Sequence, residues 1–123
     1  MWTYHQASGC LEDADGAIAG TGYSGHGPGV NNPALQNDPD VGPIPQGFWT
    51  ISPSFSSPTK GPVVMDLMPN AATETFGRSG FMMHGDSVEH PDAEEASLGC
   101  IIMARSIRQA VAASADKELQ VVA

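Results

Sequence analysis

Two residues able to carry out nucleophilic chemistry, His84 and Cys100, lie in one stretch of the chain, and each has a glycine beside it. Residues 80–84 have the apolar content of a short strand and Gly85 ends it, so His84 is predicted where a strand gives way to a loop. Gly99 permits a tight turn immediately before Cys100, and apolar residues then return to the core. This pattern predicts Cys100 at the mouth of a site, with His84 at a strand end.

A cysteine paired with a histidine is typical of an enzyme nucleophile. An imidazole within hydrogen-bond reach can hold the thiol as a thiolate, which is the reactive form. The backbone N–H groups of Gly99 and Cys100 follow in the order needed to face an oxyanion. The alternative is that Cys100 only fills a core, as unpaired cysteines often do. The residues by themselves leave both interpretations open.

Four other side chains are candidates for substrate binding. Residues 23–46 have Gly, Pro, Asn or Asp at almost every second position, which predicts a long irregular loop, and Tyr23 and His26 are its side chains able to bind, stack or titrate. A self-contained loop with an exposed His26 is the alternative. The guanidinium of Arg78 suits a substrate carboxylate, or is a surface charge. The carboxylate of Asp86 could either orient the His84 imidazole or bind a substrate amine.

A metal site is an alternative for the same region. His84, Asp86 and His90 offer nitrogen and oxygen ligands, but their spacing matches no recognised zinc motif. The sequence therefore predicts neither a metal nor another cofactor.

The residues around the pair resemble the active-site signature of the L,D-transpeptidase superfamily, in which His-Gly is followed by Ser/Thr-x-Gly-Cys. Further segments resemble the compact L,D-transpeptidase-like proteins of Gram-negative bacteria, some of which are toxins delivered by type VI secretion into a rival's periplasm. Two positions depart from the superfamily, since Leu98 and Ile102 stand where histidine and arginine are usual. The matching residues are His84-Gly85 and Ser97-Leu98-Gly99-Cys100, with segments 23–29, 31–33, 41–45 and 77–80 for the smaller branch.

The resemblance implies a peptidoglycan-modifying enzyme. Cys100 would attack the carbonyl on the L-centre of diaminopimelate in a stem tetrapeptide, release D-alanine and form a thioester. His84 would act as base and then as acid, Ser97 would hold the imidazole through its hydroxyl or carbonyl, and the Gly99 and Cys100 amides would receive the oxyanion. Water as acceptor gives an L,D-carboxypeptidase and an amine gives a crosslink or D-amino-acid exchange. The toxin branch favours carboxypeptidase and exchange. A non-catalytic wall-binding module on the same fold is the alternative.

The chain of 123 residues is predicted to form one domain, residues 1–123. Its 14 glycines and 10 prolines favour turns around short strands over a helical bundle. We expect a mainly β fold with about six or seven strands, an L,D-transpeptidase-like β-sandwich by the resemblance. One amphipathic helix is predicted at residues 103–114. Its core-facing residues would be Met103, Ile107, Ala110, Val111 and Ser114, with Arg105 and Arg108 on the opposite face.

The formal charge of -9 argues against nucleic acid or an anionic membrane surface as a partner. A basic neutralising protein, as an immunity partner for a toxin, fits this charge better. No apolar run approaches the length of a transmembrane helix, and the first residues lack the basic and apolar regions of a signal peptide, which predicts synthesis in the cytoplasm. The resemblance places the site of action in the periplasm of a target Gram-negative cell. Both cysteines, Cys10 and Cys100, are expected to be free.

Overall fold

The fold is mainly β with one α-helix in the part of the chain that the computed structural model describes, residues 1–86 and 97–123. This confirms the predicted class. The described ranges contain ten strands where six or seven were expected, because several have only two or three residues and show no periodicity. The elements are β1 (Trp2–His5), β2 (Cys10–Glu12), β3 (Ile18–Thr21), β4 (Tyr23–Ser24), β5 (Gly47–Ile51), β6 (Phe55–Ser57), β7 (Gly61–Pro69), β8 (Met82–His84), β9 (Ile101–Ile102), α1 (Arg105–Ala113) and β10 (Glu118–Val122).

The strands form one sheet that nearly closes on itself. Their order is β3-β2-β1-β10-β5-β7-β8-β9-β4, and β6 pairs with β7 outside this path. The two end strands, β3 and β4, are separated in the chain by Gly22 alone, so the backbone passes directly from one edge of the sheet to the other. A Cβ at Gly22 would lie 1.8 Å from the carbonyl oxygen of Ile102, which leaves glycine as the one residue that fits.

The core lies inside this curved sheet. Trp49 and Phe81 make an edge-on aromatic contact with ring centroids 5.0 Å apart. The first and last strands of the chain, β1 and β10, also contribute fully buried side chains to this core. They include Tyr4 and Leu119, which fix the two ends of the chain to the sheet. In the described part of the chain no helix combines the length and apolar character needed to cross a membrane.

The helix α1 begins and ends within two residues of its predicted bounds, but its buried face is different. Arg108, expected on the solvent face, is buried together with Val111, whereas Ala110, expected in the core, is exposed. Arg108 is buried because backbone carbonyls satisfy its guanidinium. Nε donates to the Met103 oxygen at 3.0 Å, and Nη1 donates to the oxygens of Pro62 and Val63 at 2.7 and 2.9 Å.

Arg108 thereby fixes a β-bulge at the start of β7. The pairing of β6 with β7 shifts register between Phe55 and Ser57, and Val63 has a left-handed φ of 56°, which is rare for a β-branched residue. Such a conformation persists only where its surroundings enforce it. The two hydrogen bonds from Arg108 supply that constraint.

Replacing Arg108 by methionine is expected to lower the free energy of unfolding by about 2–4 kcal/mol, because three backbone carbonyls lose a charged donor. Arg105 is exposed, so Arg105→Met is the matched control and is expected to change the free energy by less than about 0.5 kcal/mol. Urea unfolding followed by circular dichroism measures both. Equal losses in the two variants would contradict the role given to Arg108.

Candidate active site

Strands β8 and β9 place His84 and Cys100 on the same face of the sheet. The two strands are parallel, with Met83 opposite Ile101 and His84 opposite Ile102. Met83 and Ile101 point into the core, so the alternating residues His84 and Cys100 point to the other side. Both side chains line a cavity of about 210 Å³. The structure therefore brings together the two residues that the sequence singled out.

The surroundings of the Cys100 thiol favour its neutral form. It is partly buried, and its hydrogen-bond partner is the Gly80 carbonyl at 3.8 Å. Burial raises the pKa of this thiol, against smaller opposing effects of the Met82 backbone amide and the Lys60 ammonium. The sequence interpretation had a thiolate held by the imidazole, whereas this environment favours the thiol.

His84 is a buried, neutral imidazole with a defined tautomer. It is 2% exposed, and Nδ1 donates to the Gly85 carbonyl oxygen at 2.8 Å, which leaves the lone pair on Nε2. Within residues 1–86 and 97–123 Nε2 has no hydrogen-bond partner. Burial lowers the pKa of His84, with Lys60 and Arg108 adding to the effect. Nε2 is therefore a base that is ready to accept a proton at neutral pH.

Ser97 supports the turn that carries Cys100. Its fully buried hydroxyl donates to the Cys100 carbonyl at 2.7 Å and accepts from the amides of Gly25 at 3.0 Å and Gly99 at 3.1 Å. The hydroxyl is thus directed at backbone groups, and its expected contact with the imidazole is not among these bonds. Because the Gly99 amide is directed at Ser97, the Cys100 amide is the better placed of the two for an oxyanion.

Arg78 joins the long loop, residues 23–46, to the same turn. Its buried guanidinium donates from Nη2 to the carbonyls of Gly42 at 2.8 Å and Leu98 at 3.3 Å, and from Nη1 to those of Pro43 at 2.8 Å and Gln36. It also lies over the Phe81 ring, 5.2 Å from the centroid. The surface-charge interpretation is wrong. The donors expected to hold a substrate carboxylate are directed at the protein's own backbone.

Tyr23 and Asp86 line a different cavity, of about 340 Å³. The Tyr23 hydroxyl donates to Asp86 Oδ1 at 2.7 Å, so the two residues position each other. The backbone N–H of the half-buried His26 donates to the Val41 carbonyl at 2.8 Å, and His26 lines neither of these two cavities. The three residues proposed for substrate contact are thus not gathered at Cys100.

Two residues that the sequence interpretation missed line the Cys100 cavity. They are Asp40, from the long loop, and Lys60, from the turn between β6 and β7. Neither stands in a recognisable motif, and each lies at least forty residues from the nucleophile, so only the fold brings them to it. Cys10 and Cys100 are both free thiols. His90 lies outside the described residues, so the metal alternative stays untested.

Comparison with known proteins gives one family. The sequence model of that family, described as the Tlde1 domain, matches residues 19–123. These include every residue that lines the Cys100 cavity. Neither the curated proteins nor the solved structures contain a significant match.

The pH dependence of alkylation tests the neutral state of Cys100. In Cys10→Ser the remaining Cys100 is expected to react with iodoacetamide with a midpoint above about 8.5, the pKa of a free thiol, because burial penalises the thiolate. In Cys100→Ser the remaining Cys10 is the control, since hydrogen bonds from Ser8 and Thr21 lower its pKa. A midpoint for Cys100 at or below that of Cys10 would show a preformed thiolate.

Proposed function

This chain belongs to the Tlde1 domain family, a type VI secretion effector family, and we propose that it is a cysteine-dependent enzyme that modifies peptidoglycan. Its substrate in this proposal is the stem tetrapeptide, and its site of action is the periplasm of the target cell. The observation that carries the proposal is the shared cavity of His84 and Cys100, in which a buried Nε2 lone pair has no partner among the described side chains and backbone groups.

The geometry supports attack that is coupled to proton transfer. As Sγ of Cys100 bonds to the carbonyl carbon, the thiol proton passes to Nε2 of His84, because both groups start neutral. The tetrahedral oxyanion is stabilised by the Cys100 amide. The C–N bond then breaks, the imidazolium gives its proton to the leaving amine of D-alanine, and a thioester remains.

The second half of the reaction restores the enzyme. An acceptor gives its proton to Nε2 and attacks the thioester carbonyl, and the thiolate leaves and regains the proton. With water the product is a shortened stem, as in an L,D-carboxypeptidase. With the amine of a D-amino acid the terminal residue is exchanged, as in an L,D-transpeptidase. The same chemistry accounts for both outcomes, and no cofactor takes part in it.

The Gly85 carbonyl contributes by fixing the tautomer of His84. If Nδ1 did not donate to it, the proton could reside on Nε2, and that nitrogen could not act as base. A Cβ at Gly85 would lie 2.8 Å from Nη2 of Arg108, so this glycine and the buried arginine are packed against one another. The structural role of Arg108 and the orientation of the base are therefore connected.

An effector of this kind needs a cognate immunity protein where the producing cell is exposed to it. The formal charge of -9 favours a partner that presents basic groups. The alternative to an enzyme is a wall-binding module on the same fold, which would not depend on the nucleophile.

Cys100→Ala and His84→Gln are each expected to lower turnover of a stem tetrapeptide by at least about a thousandfold, because the two residues act as one unit. Cys10→Ser is the control and is expected to keep full activity, since Cys10 lies in β2, away from the cavity. Chromatography with mass spectrometry measures the products. Substantial turnover by either site variant, with its fold verified by circular dichroism, would remove the pair from the mechanism.

Expression in Gram-negative cells tests the site of action. The protein fused to a secretory signal is expected to swell or lyse the cells, whereas the unfused protein is expected to be harmless, because the proposed substrate lies in the periplasm. Cys100→Ala with the same signal is the control and should be harmless. Wall extracts should contain stems shortened or exchanged at the terminal residue. Toxicity that persists in Cys100→Ala would favour the binding module.

A further inference from the structure

Two opposite charges line the Cys100 cavity, and neither belongs to an ion pair among the described residues. Lys60 and Asp40 both line it, both are exposed, and no ion pair or side-chain hydrogen bond engages either one within the described ranges. The cavity thus presents one ammonium and one carboxylate next to the nucleophile. Groups of this kind bind substrate groups of opposite charge.

We propose that Lys60 and Asp40 are specificity-determining residues that select a substrate with a free carboxylate on the leaving residue and an ammonium group near the attacked carbonyl. Lys60 binds the carboxylate and Asp40 the ammonium. This inference rests on the proposed function, since it names how the substrate of the same site is recognised. A stem tetrapeptide carries both groups, on its terminal D-alanine and on the side chain of diaminopimelate.

Lys60 is the cation available to a carboxylate at this cavity. Arg78 directs its donors at four backbone carbonyls, and Arg105 and Arg108 line the other cavity. Ile102 stands where the superfamily that the sequence resembles usually has an arginine, and it is buried at 3% exposure. Among the cavity's described lining residues Lys60 is therefore the sole cation.

Local structure directs the Lys60 turn at the cavity. The Ser57 hydroxyl accepts the backbone N–H of Thr59 at 3.3 Å and that of Lys60 at 3.1 Å, and Gly61 takes a left-handed φ of 87°. The bulge held by Arg108 follows directly and bends this end of the β6–β7 hairpin. The turn is thus built and anchored, while the Lys60 side chain is left exposed.

Asp40 is presented by an equally well anchored part of the long loop. The Asp38 carbonyl accepts from the Gly42 amide at 2.9 Å, and Arg78 binds the carbonyl of Gly42 itself. Asp40 has a left-handed φ of 59°, a conformation that Asp and Asn tolerate better than most residues. Asparagine is therefore a substitution that removes the charge and keeps the backbone.

Binding to a Cys100→Ala protein tests the pair without catalysis. Isothermal titration would compare three ligands: the tetrapeptide acid, its C-terminal carboxamide, and the acid acetylated on the diaminopimelate amine. Adding Lys60→Met is expected to weaken binding of the acid by about tenfold and to leave the carboxamide unchanged. Adding Asp40→Asn is expected to weaken the acid by about tenfold and to leave the acetylated ligand unchanged. Arg105→Met is the matched control and is expected to change none of the three.

The outcomes separate this inference from the enzymatic proposal. Equal affinity of the Cys100→Ala protein for acid and carboxamide, equal weakening of both by Lys60→Met, or no saturable binding would overturn the role of Lys60. Equal weakening of the free and acetylated ligands by Asp40→Asn would overturn that of Asp40. If the pair discriminates these ligands but the wild-type protein turns over no tetrapeptide, recognition stands and the proposed enzyme activity fails.

Discussion

A single buried guanidinium, that of Arg78, holds the candidate site together. It lies between the long loop and the turn that carries Cys100, and it donates hydrogen bonds to carbonyls on both. Hydrogen bonds to a charged group contribute more than neutral ones, and a buried guanidinium without them would cost several kcal/mol. The loop packs into the core through the fully buried Ile44, and Arg78 holds the carbonyls of the preceding Gly42 and Pro43.

A second buried arginine does the same for the other side of the site. Arg108 binds the carbonyls at the β7 bulge and packs against Gly85, whose own carbonyl orients His84. Both cations offset the cost of burial by pairing with backbone oxygens instead of carboxylates. Charge-assisted bonds to the backbone thus hold the turn that carries Cys100 and the bulge beside the Lys60 turn, while the neutral His84 is oriented by its hydrogen bond to the Gly85 carbonyl.

The burial that fixes the site also sets its electrostatics. Desolvation moves the pKa of Cys100 up and that of His84 down, so the site stores a neutral thiol and a neutral imidazole. A neutral thiol reacts more slowly with oxidants and unrelated electrophiles than a thiolate does. In the proposed reaction the substrate must place a carbonyl against Sγ, which connects reactivity to the proposed recognition by the charged groups at the cavity.

The local sequence predicted the features that depend on interactions between residues close in the chain. Glycines beside His84 and Cys100 marked both as ends of elements, and the composition predicted a mainly β fold with one helix. Hydrophobic periodicity could not predict which face of α1 is buried, because an arginine is treated as a polar, solvent-facing residue. Arg108 is buried only since the carbonyls of Pro62 and Val63, over forty residues away, meet its donors.

Tertiary structure alone decided which side chains share the cavity. Arg78, Tyr23, His26 and Asp86 were expected to contact the substrate. The fold directs Arg78 at backbone carbonyls, places Tyr23 and Asp86 at a different cavity and leaves His26 off both cavities. No sequence pattern predicted that Asp40 and Lys60 lie at the cavity. A charged residue in a turn is typical of a solvated surface, and only strand pairing shows that it lies at a site. The sequence by itself singled out Cys100 and His84 as a candidate nucleophile and base, since their glycine neighbours are a local pattern. The surroundings of that pair follow from long-range contacts, which no local pattern encodes.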